Sequence, residues 1–274
     1  MDFKIKLAEI PIQVHSQYDS LKEYCKDYVV EESENRTSDA GTSQMMKDYR
    51  QAEEGSKNGL EIVITPDDIE CERENGQEEA EQKSTASQYS PEYLETLVLL
   101  RKIAEELPDR DTFLMHGAVI SWKDNAYMFT APSGTGKSTH ISLWRKYLGE
   151  GVQSINGDKP FLSVSDTEVR AYGTPWAGKE RWQHNTSAPL KGICILSQAK
   201  ENKIRKLTPG ESLNYLLRQI HFTTTPEKAA HTLELLDKLL TQIPVWYLEC
   251  DISKEAMMLS FEALTGGDGE KRLE

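Results

Sequence analysis

Ala126–Tyr147, AYMFTAPSGTGKSTHISLWRKY, is the stretch from which the fold is read. The apolar run from Tyr127 to Ala131 predicts a buried strand. Pro132-Ser133-Gly134-Thr135-Gly136 predicts a tight glycine loop. Lys137-Ser138-Thr139 then opens a helix with apolar residues at Ile141, Leu143, Trp144 and Leu148. Strand, glycine loop, Lys-Ser and helix in that order are the phosphate-binding P-loop arrangement. The glycines let successive backbone N–H groups turn inward around an anion, and the helix start adds the positive end of its dipole. In that arrangement Ser133, Gly134, Thr135 and Gly136 form the cradle. Lys137 reaches the terminal phosphates of a nucleoside triphosphate, and the Ser138 hydroxyl meets Mg²⁺. Thr139 caps the helix, packs, or touches a phosphate. The strict pattern has glycine where this chain has Ala131, a small residue that the position tolerates. The opposing reading is a glycine turn that binds nothing; the flanking strand and helix argue against it.

A chain of 274 residues can bury a full α/β core, as one domain or as one plus a small appendage. Hydrophobic content of 38% and a mean hydropathy of -0.60 place it with soluble, polar-biased proteins. No apolar run approaches the roughly 20 residues that cross a bilayer. The opening MDFKIKLAEIPI lacks the apolar core of a signal peptide, so a cytoplasmic address is expected. The net charge of -13 argues against nucleic acid or an anionic membrane as partner. About ten of those negative charges fall between Glu31 and Gln88, so the remainder does not repel an anionic nucleotide. None of the four cysteines has zinc-ligand spacing, and Cys194 and Cys250 read as buried thiols.

Residues 1–88 read as a small α+β segment. Phe3–His15 predicts a strand, or two broken at Pro11, and Ser20–Val30 a short amphipathic helix. Leu60–Thr65 predicts another strand. Two acidic stretches, about 31–58 and 66–88, are expected to be flexible insertions, with Asp67 and Asp68 as surface charge or an extension of the sheet edge. Residues 89–267 read as the nucleotide-binding domain and 268–274 as a frayed tail. Ser90-Pro91-Glu92 starts a helix that runs to about Glu106. Phe113–Trp122 predicts one strand carrying His116-Gly117, with Lys123-Asp124-Asn125 turning it into the strand before the glycine loop.

Val152–Asn156 predicts a strand that ends in Gly157-Asp158-Lys159-Pro160. An acid there is where a Walker-B carboxylate is expected, to hold Mg²⁺ or take a proton; the plainer reading is a turn residue before Pro160. Phe161–Ser165 and Val169–Tyr172 predict a hairpin, and Gly173–Lys179 a loop with a cation at its tip. Lys179 and Arg181 are candidate substrate or phosphate contacts, or surface cations. Trp176 and Trp182 wall a pocket or simply pack. Strands at 190–196, 203–206 and 244–249 and helices at 208–219, 226–242 and 253–264 complete the pattern. His140 is placed beside nucleotide or solvent, whereas His15, His184, His221 and His231 show no partner spacing.

Leu114-Met115-His116-Gly117, a hairpin, APSGTGKST and a strand ending in Gly-Asp-Lys together resemble the HPr kinase / PEP carboxykinase superfamily. Gly173–Lys179 and Pro189–Lys191 resemble the G-T-P-W-x-G-K and P-L-K segments of HPr-kinase-related proteins. The resemblance spans about Tyr89 to Gly266. It implies an α/β core with a mixed, strongly bent sheet, ATP or another nucleoside triphosphate with Mg²⁺, and phosphoryl transfer. It also implies that His116 lies near the transferred phosphate. Where the family carries an acidic pair after the next strand, this chain has Gly157 and then Asp158.

The expectation that follows is an ATP-dependent kinase. Lys137 and the loop hold the phosphates, Ser138 and Asp158 arrange the metal, and Asp158 or His116 takes the acceptor proton. The acceptor is a serine of a protein or peptide, or a small hydroxyl compound, and a homo-oligomer is compatible. The alternatives are a nucleotide-binding module without catalysis and, third, a PEP carboxykinase-like enzyme, for which the chain shows no dedicated substrate arginines.

Overall fold

The computed structural model describes residues 1–30, 59–83 and 89–266. The expected insertion at 31–58, the end of the second one and the tail lie outside them. Two compact units are present, Met1–Ile103 and Ala104–Glu274. No helix among the described residues is long and apolar enough to cross a membrane.

The first unit holds a three-stranded sheet in the order β1-β2-β3, from β1 (Asp2–Leu7), β2 (Ile10–His15) and β3 (Leu60–Val63). The break between β1 and β2 falls at Ala8-Glu9 and not at Pro11. Both residues have positive φ, 49° and 64°, the twist a tight antiparallel hairpin requires. Pro11 sits inside β2, ahead of the residues that pair with β3. The predicted helix at 20–30 is shorter: α1 (Ser20–Tyr24) is followed by a single 3₁₀ turn.

A larger correction concerns the second acidic stretch. Pro66–Lys83 is a helix, α2, and not a flexible insertion or a sheet edge. Its start is capped reciprocally: Thr65 N donates to Asp68 Oδ2 at 2.8 Å, and Asp68 N donates to Thr65 Oγ1 at 3.2 Å. Its acids find cations on α3 (Pro91–Glu106): Lys102 Nζ is 2.6 Å from Asp68 Oδ2, and Arg101 Nε is 3.0 Å from Glu72 Oε2. Those partners lie some thirty residues away in sequence, so the local charge density is a poor guide. Glu95 of α3 is fully buried and accepts the backbone N–H groups of Gln17 and Tyr18; burial nonetheless raises its carboxyl above the ordinary range.

The second unit is built on a curled, open, mixed sheet in the order β4-β8-β9-β10-β6-β5-β7, with β12 on β10 and β11 on β12. Its strands are β4 (Thr112–Leu114), β5 (Ala118–Trp122), β6 (Asn125–Thr130), β7 (Val152–Asn156), β8 (Phe161–Val164), β9 (Val169–Tyr172), β10 (Ser187–Gln198), β11 (Lys203–Lys206) and β12 (Val245–Cys250). β6, β10 and β12 run parallel, whereas β5 is antiparallel to both β6 and β7. The long β10 turns the sheet: its start pairs with β9, its end with β6 and β12, and the register slips between Leu190 and Gly192.

Side chains alternate between two cores. Met128, Ile193 and Ile195 face α5 (Pro209–Leu216) and α6 (Pro226–Gln242). Tyr127, Phe129, Cys194 and Leu196 face α4 (Lys137–Leu148) and α7 (Lys254–Thr265). A sheet buried on both faces explains the near-continuous apolar runs in β6 and β10.

The predicted strand at 113–122 is two strands. β4 pairs with β8, β5 pairs with β6 and β7, and Met115-His116-Gly117 cross between them. The cause is tertiary. His116 N donates to Gln219 O at 2.6 Å, Gly117 N donates to Asp158 O at 2.9 Å, and Thr130 Oγ1 donates to His116 O at 2.8 Å. Three separate segments claim the backbone where a single strand would have kept its ladder.

Candidate functional site

The glycine loop lies between the end of β6 and the start of α4. Gly134 and Gly136 have φ of 80° and 112°, a region that L side chains rarely adopt. A Cβ on either would meet no atom within 4 Å, so conformation and not crowding calls for glycine. Thr135 holds the turn through its N–H and hydroxyl, both donated to Pro132 O, at 3.3 and 2.8 Å. The N–H groups of Gly134 and Gly136 have no partner among the described residues, and a helix leaves its first N–H groups, here those that open α4, without intrahelical partners.

Three predicted side chains converge at the base of this loop. Lys137 Nζ donates to Ala131 O at 3.0 Å and lies 3.2 Å from His116 Nε2. His116 Nε2 is in turn 3.1 Å from Asp158 Oδ1. A ring nitrogen that donates to the carboxylate cannot also accept from the ammonium, so Lys137 is held against the ring with donors to spare. All three are half-buried, with His116 and Asp158 side chains 27% and 29% exposed, within reach of a ligand. Burial pushes the Asp158 carboxyl up, but the His116 hydrogen bond and the charges of Lys159, His116 and Lys137 outweigh it and hold the group below the usual range. Burial pulls the Lys137 ammonium down; Asp158 opposes that and Lys159 adds to it.

Two residues that the sequence reading did not single out fix this centre. Gln219, just past α5, places its Oε1 3.0 Å from His116 Nδ1. No local signal points to it, since 103 residues separate the pair. Asn156, the last residue of β7, accepts the N–H groups of Asp158 and Lys159 at 2.9 and 2.7 Å and donates to Thr174 O and Oγ1, each at 3.0 Å. An Asn two residues before Asp158 is the signature of an Asx turn and was legible.

Gly157 has a packing reason. A Cβ there would lie 2.4 Å from Ala177 O, so the 173–179 loop leaves no room for a side chain where a first acid would stand. That loop also backs onto Asp158: a Cβ at Gly178 would be 3.3 Å from Asp158 Cβ. Lys179 and Arg181 are exposed, and no polar contact ties their side chains to Lys137, His116 or Asp158. Ser133 and Thr139 are exposed on the loop and helix start, and Ser138 is half-buried. Trp176 is core, stacked on Phe161 at 6.5 Å, and Trp182 packs beneath the Arg145 guanidinium at 4.4 Å. His140 does not face solvent. It is buried, its Nε2 is 2.8 Å from Ser260 Oγ, and burial lowers its pKa to about 4.

No protein-family model matches the chain. No curated protein matches it either. Among solved structures it is similar to the HPr(Ser) kinase/phosphatase from Coxiella burnetii, at 10% identity and a TM-score of 0.32, over 56% of this chain and 88% of that one. The likeness is a distant structural one, and activity has to be read from the side chains. They offer a glycine loop with unpartnered N–H groups, a cation at its base and a carboxylate braced by an imidazole. Clefts of about 530 and 520 Å³ flank the loop, within the range of small-molecule sites.

Proposed function

We propose that this protein is an ATP-dependent phosphotransferase that moves the γ-phosphoryl group to a hydroxyl. The observation that carries the reading is the meeting of Lys137, His116 and Asp158 beneath the glycine loop. The triphosphate lies on the amides between Gly134 and Ser138, and Lys137 leaves Ala131 O for its terminal phosphates. The hydroxyl oxygen of the acceptor bonds to the γ-phosphorus, and the bond from that phosphorus to the β-phosphate oxygen breaks. The electron pair leaves with ADP, and the acceptor proton passes to the Asp158–His116 pair. Gln219 orients the imidazole, and Asn156 orients the turn that carries Asp158.

The donor set suits Mg²⁺, a hard cation that takes one or two protein oxygens and completes its shell with phosphates and water. Ser138 Oγ and the Asp158 carboxylate, held ionised, would hold it. Bound there, it supplies charge neutralisation to the phosphates. The acceptor is a serine of a protein or peptide, or a small hydroxyl compound.

Phosphoryl transfer from γ-labelled ATP to components of a cell extract tests the reading. Lys137→Ala is expected to lower transfer at least 100-fold, the loss seen when a preorganised cation is removed from a site of developing charge. Undiminished transfer by that variant would refute it. The steric exclusion of a second acid at Gly157 favours one rival, a nucleotide-binding module without turnover. Calorimetric ATP binding with no phosphate released or transferred over hours would establish that rival.

A further inference from the structure

The glycine loop separates two clefts of different chemistry. One is lined by Thr130–Thr135, the end of β10, Tyr215, Arg218, Gln219 and Tyr247. It reaches the reacting centre through Gln219, whose Oε1 is 3.0 Å from His116 Nδ1. The other starts at Gly134–Gly136 and runs along Thr139, His140 and Leu143 to Leu196, Ala199, Cys250, Asp251 and Ile252. Gln219 is not among its lining residues, and its Leu143 belongs to the core on the α4 face of the sheet, whereas Ile195 of the first cleft belongs to the core on the other face.

Ile252 is the anomaly of the second cleft. It is 75% exposed, the most exposed large apolar side chain among the described residues. It is also held there. Asp251 N donates to Asn202 Oδ1 at 2.9 Å, and Asn202 Nδ2 donates to Asp251 Oδ1 at 3.0 Å and to Ser253 Oγ at 3.1 Å. Ser253 Oγ in turn accepts Ala256 N at 3.2 Å and caps α7. The loop is therefore braced on both sides of an isoleucine that touches little of its own protein. Gln198 Nε2 donates to Thr135 O at 3.1 Å and ties the end of β10, which lines the cleft, to the glycine loop.

We infer that the cleft bounded by Leu143, Leu196 and Ile252 takes the nucleobase of the triphosphate, with Asp251 facing a base amino group, as on adenine or guanine. The inference rests on the phosphotransferase reading and adds the direction in which the nucleotide lies. A triphosphate seated on the loop has two ends. The γ end must meet His116 and Asp158, so the base extends along the far cleft, where flat apolar area covers Ile252 and Leu196. The cleft with Gln219 is left to the acceptor.

Calorimetry on the full chain with MgATP, MgGTP and magnesium tripolyphosphate tests this. The wild-type chain is expected to bind the purine nucleotides more tightly than tripolyphosphate. Ile252→Asp is expected to weaken MgATP at least tenfold and to leave tripolyphosphate within twofold, which also shows that the variant is folded. Unchanged MgATP affinity in Ile252→Asp overturns the inference. So does a selective loss of MgATP affinity in Tyr247→Ala, which would place the base in the other cleft. If the wild-type chain binds neither ATP nor tripolyphosphate, the phosphate-loop reading itself fails.

Discussion

Gly157→Ala is the sharpest perturbation of the candidate site, because it adds one methyl group at a known distance. The new Cβ would stand 2.4 Å from Ala177 O and 3.5 Å from Trp182 Cβ. Real Cβ contacts essentially never fall below 3.0 Å, so the two backbones must part by at least 0.6 Å. Neither is free to do so. The 157 side is held by the Asn156 bonds to Asp158 and Lys159, and the 177 side by Thr174, whose hydroxyl donates to Lys159 O at 2.7 Å. Overpacking of this kind costs about 1–3 kcal/mol. In a unit of this size that lowers Tm by about 2–12 °C. All five tryptophans, Trp122, Trp144, Trp176, Trp182 and Trp246, lie in the unit that contains the site, so selectively excited tryptophan fluorescence follows its unfolding alone. Asp158 rides on the displaced turn, and a shift of about 1 Å costs on the order of 100-fold in a positioned reaction. On the proposed phosphotransferase reading, transfer from ATP should therefore fall further than stability accounts for. An alanine variant that melts within 1 °C of the wild-type chain and transfers phosphate at the same rate would refute the packing argument for Gly157.

Two other outcomes are expected. His140 is held neutral by burial, with its pKa lowered from 6.5 to about 4, so the unfolded chain binds the extra proton between those values. Stability is then full above about pH 6.5 and lost as pH falls toward 4, by about 3 kcal/mol from this group; denaturant titrations of His140→Phe should lack that part of the acid slope, and an identical slope would contradict it. Thr65→Ala removes the hydroxyl that caps α2 and should cost about 1 kcal/mol; far-ultraviolet circular dichroism should show a shallower, earlier loss of helix on heating, and superimposable melts would show that the cap contributes nothing.

Much of the second unit was legible because its signals are local. The alternation and apolar runs of β6 and β10 follow from burial on both faces of the sheet. The Lys123-Asp124 turn carries positive φ of 49° and 62°, as its hairpin requires. Ser90 and Pro91 start α3 where capping chemistry puts it. Legibility ended where a partner far along the chain decides the outcome. α2 looked like a loop because its acids were read without Lys102 and Arg101. The strand at 113–122 looked continuous because its interruption is made by Gln219, Asp158 and Thr130.

By itself the sequence determined the order of strand, glycine loop and helix, the identities of Lys137, Ser138, His116 and Asp158, and the lack of a side chain at Gly157. Backbone preferences and periodicity act over a few residues, so a single stretch carries them. Only the tertiary structure decided that His116 stands between Lys137 and Asp158, that Gln219 aims its ring, and that Ala177 forbids a neighbour for Asp158. Those are contacts of a few ångströms between segments up to about a hundred residues apart. Chain crossing and close packing set them, and no local propensity encodes either.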